Sequence, residues 1–130
     1  MKTRVLLDTH VFIEAIAAPE RLPPALRDVL QDPDVGLMVS AVTAWEMAVK
    51  HALGRLRVDD VVVRRFHMHV AGLGAQELAL TAEHVLAAVA LPPYHRDPFD
   101  RMLIAQARVE GVALATADAR VLRYEVATLP

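Results

Sequence analysis

At 130 residues and 14.3 kDa the chain has the length of one domain, 1–130, with no room for a second independent core. Its 55% hydrophobic and 23% charged residues exclude a disordered tail, and the absence of cysteine excludes disulfide scaffolds, thiol catalysis and thiolate metal sites. A net charge of −2 excludes a surface that binds polyanions everywhere, so any contact with nucleic acid has to be local.

Taken in chain order, Arg4-Val5-Leu6-Leu7 reads as a buried strand that stops at Asp8, and Thr9 to Ala17 as the helix that follows. Pro24 to Gln31 predicts a second helix, Asp32-Pro33-Asp34 a turn, and Val35 to Val39 a second buried strand. Ala41 to Leu53 predicts a helix closed by Gly54, and Asp59 to Val70 another that ends before Gly72 and Gly74. Glu77 to Leu80 reads as a short strand, after which Thr81 caps a further helix. Beyond Pro92-Pro93, the segment Pro98 to Glu110 is the clearest helix, with Pro at its first position and Gly111 just past its end. Val112 to Thr116 and Val126 to Leu129 complete the strands. Apolar strands separated by helices predict an α/β fold, a three-layer α/β/α sandwich with a mostly parallel central sheet. The longest apolar run, Val85 to Leu91, is far short of the roughly 20 residues that cross a membrane, and Asp8 interrupts the stretch a signal peptide would need. A cytoplasmic protein without a membrane partner is therefore expected.

Ligands of parallel sheets sit beyond the carboxyl ends of the strands, and two of those ends carry an acid, Asp8 and Asp118. Each has an ordinary use as a helix cap. Glu46 could be a surface residue paired with Lys50 four positions on. On a helical wheel, however, it lies about 40° from Val42, at the rim of a stripe formed by Val42, Trp45, Val49 and Leu53. Asp100 could serve the first turn of a helix capped by Asp97, yet Leu103, Ile104 and Ala107 follow on its face, so its carboxylate heads the column that faces the core. A partly buried carboxylate needs a cation or a proton, and several together repel one another. Hard oxygen ligands without cysteine favour Mg²⁺ or Mn²⁺ over Zn²⁺, and those ions favour phosphoester substrates. His67 and His69 point to different faces of a helix, and no HExxH, GxGxxG, GxxxxGK[ST] or GxSxG occurs. His10 and His95 flank candidate acids. Trp45, Phe66 and Phe99 are read as core or interface residues.

Four stretches, Leu6-Leu7-Asp8-Thr9-His10, Ser40 to Glu46, His95 to Ala107 with its DPFDRxLIAQA pattern, and Leu114-Ala115-Thr116-Ala117-Asp118, resemble the PIN domain nucleases and, among them, VapC-type toxins. The order and spacing match across nearly the whole chain. The resemblance implies catalytic and metal-binding roles for Asp8, Glu46, Asp100 and Asp118, and an extra acid at Asp97. It also matches Thr9 and Thr116 to hydroxyl positions beside the acids. It implies a Mg²⁺- or Mn²⁺-dependent endoribonuclease with an RNA substrate, inhibited by a cognate VapB-type antitoxin and often built from toxin dimers. Arg96, Arg101 and Arg120 are candidates for steering a phosphate backbone. Two other readings stay open: a metal-dependent phosphatase or phosphotransfer domain with Asp8 as nucleophile, and a non-catalytic binding module on the same fold. Against the first, position 10 is His rather than a second acid, and Lys2 and Lys50 are the only lysines.

Overall fold

A computed structural model describes residues 3–56, 63–94, 97–118 and 128–129 of the chain. Five strands, β1 (Thr3–Leu7), β2 (Val35–Ser40), β3 (Gln76–Leu78), β4 (Ala113–Ala115) and β5 (Thr128–Leu129), form one sheet in the order β3-β2-β1-β4-β5. Every pairing is parallel, with Leu6 opposite both Met38 and Leu114. Parallel strands need crossovers, which helices supply, among the described residues α1 (Thr9–Ala17), α2 (Pro24–Gln31), α3 (Ala41–Ala52), α4 (Phe66–Gly72), α5 (Ala82–Val89) and α6 (Pro98–Glu110). A single 3₁₀ turn at Pro19–Arg21 joins α1 to α2.

The pleat divides the core in two. Val5, Leu7, Leu37, Val39 and Ala115 point to one face, where Val11 and Phe12 of α1, Leu26 of α2 and Phe66 and Val70 of α4 cover them. Leu6, Met38 and Leu114 point to the other, under Ala88 of α5 and Leu103, Ile104 and Ala107 of α6. This is the expected three-layer sandwich. Helix α3 belongs to both faces, since Val42 joins the second cluster and Met47 the first.

The elements follow the sequence signals closely. Asp8, Ser40, Thr81 and Asp97 each cap the helix that begins after them with a side-chain oxygen. Gly111 ends α6 at φ +66°, a left-handed conformation that a Cβ would strain. The ends of β1, β2, α3 and β4 differ from expectation by a single residue, and two elements differ by more. The strand expected at Glu77–Leu80 runs Gln76–Leu78, where its backbone stays in register with Met38 to Ser40 of β2. Helix α4 starts at Phe66, after a turn at Arg65 that interrupts the single helix expected from Asp59 to Val70, and runs on to Gly72; Asp59 itself lies outside the described residues, as does Val126 of the last strand. No helix among the described residues is long and apolar enough to cross a membrane.

From β1 the chain moves outward through β2 and β3 on one side and returns to β4 and β5 on the other. The strand order therefore reverses between β1 and β4, and a crevice opens beyond their carboxyl ends. Asp8 follows β1 there, and Thr116 to Asp118 follow β4.

Candidate active site

Asp8 leaves β1 with its N–H still donating to the Ala115 carbonyl at 3.0 Å, while its Oδ1 accepts the Val11 N–H at 2.8 Å. It is thus both the last rung of the ladder and the cap of α1. Burial pushes its carboxyl above the ordinary value. Hydrogen bonds from Thr116 and from the Val11 backbone, with the charge of His10, pull the other way, and the nearby charge of Glu46 adds to the rise. Thr116 is itself buried, and its hydroxyl works in both directions, donating to Asp8 and accepting the Asp118 N–H at 3.0 Å. It links the acid after β1 to the acid after β4.

Glu46 is 5% exposed. The buried arc of α3 comprises Val42, Thr43, Glu46 and Met47, with Glu46 near its middle. The stripe expected through Trp45 and Leu53 faces outward instead: these residues are 46% and 61% exposed, and Trp45 packs edge-on against Phe99 with ring centroids 4.7 Å apart. Phe66, by contrast, lies in the core. Glu46 Oε2 is ion-paired with Lys50, and its buried Oε1 has no hydrogen-bond partner among the described residues. Burial alone would lower the Lys50 ammonium, but the hydrogen bond and charge of Glu46, followed by the charges of Asp97 and Asp100, carry it above its ordinary value.

Asp97 caps α6, its Oδ1 accepting from Phe99 N at 2.8 Å and Asp100 N at 3.1 Å, and Asp100 sits half-buried in the first turn. A cleft of about 440 Å³ is lined by Asp8, Glu46, Asp97, Asp100 and Asp118 together with Thr9, His10, Lys50 and Ala117. All five acids singled out in the sequence border this one space. They line it without forming a closed cage: among the described residues no three Asp, Glu or His side chains are arranged to hold an ion as they stand. The donor set still fits a hard divalent cation, being all oxygen, with an orphaned carboxylate oxygen on Glu46 and a carboxyl on Asp8 that burial leaves short of positive charge.

Other candidates take different places. Thr9 is buried at the cleft, its hydroxyl 3.0 Å from that of Thr43. Arg101, expected to steer a phosphate backbone, gives hydrogen bonds of 2.9 to 3.0 Å to the carbonyls of Ala88, Leu91 and Pro92, where it satisfies the exposed end of α5. His95, Arg96 and Arg120 lie outside the described residues. His10 is exposed at the cleft rim, 3.8 Å from Glu14. Lys50, a surface partner of Glu46 by sequence alone, is a cation lining the cleft, and its i, i+4 spacing from an inward-facing acid is the signal that marks it.

The sequence matches the PIN domain family over residues 5–127. The chain is a member of the PIN domain family. It is 33% identical over 122 residues to Ribonuclease VapC22 of Mycobacterium tuberculosis, covering 91% of this chain and 89% of that one. Among solved structures, VapBC2 from Rickettsia felis, bound to a DNA fragment from its promoter, superposes with a TM-score of 0.71 at 11% identity over 98% of each chain. A toxin–antitoxin complex from Klebsiella pneumoniae gives 0.61 at 17% identity, over 97% of this chain and 96% of that one. At such identities the structures speak to the PIN fold alone, which the sheet order and the layers described above share.

Proposed function

We propose that this PIN domain is a metal-dependent endoribonuclease, the toxin of a toxin–antitoxin pair acting in the cytoplasm, with RNA as substrate. A VapB-type antitoxin is its proposed inhibitor, and a homodimer its proposed assembly. The observation that carries the reading is the convergence of Asp8, Glu46, Asp100 and Asp118 on one cleft at the switch point of the sheet. The relative named a ribonuclease and the toxin–antitoxin complexes of similar fold support it.

Asp8, Glu46, Asp100 and Asp118 would hold Mg²⁺ or Mn²⁺, with Asp97 at the rim. Bound there, the ion supplies positive charge for the transferring phosphoryl group and a water acidic enough to attack near neutral pH. The chain supplies position. Thr116 holds the Asp8 carboxylate toward Asp118, Asp97 fixes the first turn that presents Asp100, and Lys50 pairs with one carboxylate oxygen of Glu46 and leaves the other open to the cleft. Single domain organisation over 1–130 belongs to the same proposal.

Digestion of total cellular RNA with mapped ends, with Mn²⁺ supplied and a phosphomonoester run alongside, tests the reading. RNA is cut at defined sites and the phosphomonoester is spared. Asp8→Asn and Asp100→Asn each lower cleavage by about 100-fold or more, the scale on which loss of one group at a developing charge acts. Hydrolysis of the phosphomonoester alone would favour the phosphatase reading, and an Asp100→Asn variant as active as wild type would remove that residue from the site.

A further inference from the structure

Gln106 is completely buried in the middle of α6, where an apolar residue would be cheaper to desolvate, and its amide is used at both ends. Its Oε1 accepts the Ser40 hydroxyl at 2.5 Å, and its Nε2 faces the Ala79 carbonyl at 3.4 Å and His84 Nδ1 at 3.3 Å. His84 Nδ1 also accepts the Thr81 N–H at 3.0 Å, so the ring proton sits on Nε2, which donates to Glu110 Oε2 at 3.0 Å. Ser40 is equally buried. Its hydroxyl gives its proton to Gln106 and accepts the Val42 N–H at 2.9 Å, closing the start of α3.

The amide therefore bolts the middle of α6 to Ser40, the last residue of β2 and the cap of α3. Asp100 lies six residues before Gln106 on one helix, and Glu46 six residues beyond Ser40 on the other. Each acid is thus about 9 Å along its helix from the bolt. On the far side, the bond between Thr9 and Thr43 ties the same turn of α3 to the residue after Asp8. Apolar contacts tolerate small slips between packed helices, whereas a buried directional bond admits one register.

We propose that Gln106 is a positioning residue that, through Ser40, fixes the register of α3 against α6 and so the backbone separation of Glu46 from Asp100, leaving only side-chain rotations to bring their carboxylates onto a divalent cation. The proposal rests on reading those acids as ion ligands. Gln106→Met keeps the length of the side chain and removes its bonds; the double variant Ser40→Ala/Gln106→Met leaves no unpaired hydroxyl opposite the methionine, at the cost of the α3 cap. Mn²⁺ binding to each protein, followed without RNA by the paramagnetic resonance of the uncomplexed ion, is the decisive measurement. Thermal unfolding and the Mn²⁺ concentration for half-maximal RNA cleavage accompany it.

Both variants are expected to bind Mn²⁺ about 10-fold more weakly, the lower end of what loss of a supporting partner costs a metal site, with cleavage recovering at high Mn²⁺. Variants that bind Mn²⁺ as tightly as wild type, whatever their melting temperature, would overturn the positioning role and leave the site reading intact. A wild-type protein that takes up no Mn²⁺ would overturn both.

Discussion

Asp8 carries a structural task and a chemical one on the same carboxylate, and the two respond oppositely to ionisation. Its backbone and Oδ1 secure the junction of β1 and α1, while burial holds its carboxyl above the ordinary 3.8. A group that keeps its proton to higher pH in the folded state binds more protons there than in the unfolded chain, so stability falls as pH rises through the interval above 3.8. The deficit persists at neutral pH. Asp8→Asn retains an equally good cap and loses the charge, so without metal the variant should melt a few degrees above wild type at pH 7, and the difference should shrink at the acid end. Melting curves between pH 4 and pH 7.5 check this; equal slopes for the two proteins would contradict it. Glu46 teaches a related lesson about reading one residue at a time. Its inward orientation was legible from the wheel, but for an incorrect reason: Trp45 and Leu53, counted as core, are exposed, and Thr43, counted as nothing, is buried. Hydrophobicity ranks side chains by their own cost in water. It misses a helix whose buried arc contains polar groups because neighbouring elements offer them partners.

At the level of elements, helix α6 was readable because its ends are chemically marked, with Asp97 and Pro98 at the start and Gly111 at the end. Helix α4 was less so, because valine, arginine and histidine in its neighbourhood set no comparable boundary. Arg101 shows what sequence cannot supply. Its place next to Asp100 suggests phosphate, but α5 and the turn after it end beside it, and the guanidinium meets three backbone carbonyls there. That partner lies on another element, and no local pattern announces it. Arg101→Ala should therefore destabilise the fold by about 1.5 to 3 kcal/mol, the range for hydrogen bonds to a charged group, while RNA cleavage per folded molecule stays near wild type. Chemical denaturation alongside a cleavage assay separates the two effects; a variant of full stability and lost cleavage would return Arg101 to the substrate.

For the molecule as a whole, the location of the cleft followed from topology more than from any motif. Parallel strands with apolar runs imply a sheet covered on both faces, and the reversal of order between β1 and β4 locates the crevice where Asp8 and Asp118 meet. The sequence did not reveal how far the acids stand from a finished ion cage, since that depends on side-chain torsions and on the pairing of Glu46 with Lys50. Because the folded cleft gathers acids that the unfolded chain scatters, Mn²⁺ at free concentration c should stabilise the fold by RT ln(1 + c/Kd), about 2.7 kcal/mol at a hundredfold excess over Kd, and raise the melting temperature with it. The gain should vanish in Glu46→Gln, and calorimetry with and without Mn²⁺ reads it directly. The pairing of Val5 with Ala113 has one more consequence. The central strand finds β2 about thirty residues on but waits for residue 113 before its other neighbour is made, and Asp118 beyond that neighbour comes later still. Until then the crevice between β1 and β4 lacks one wall and one of its acids, so the proposed site is assembled late in the order of synthesis.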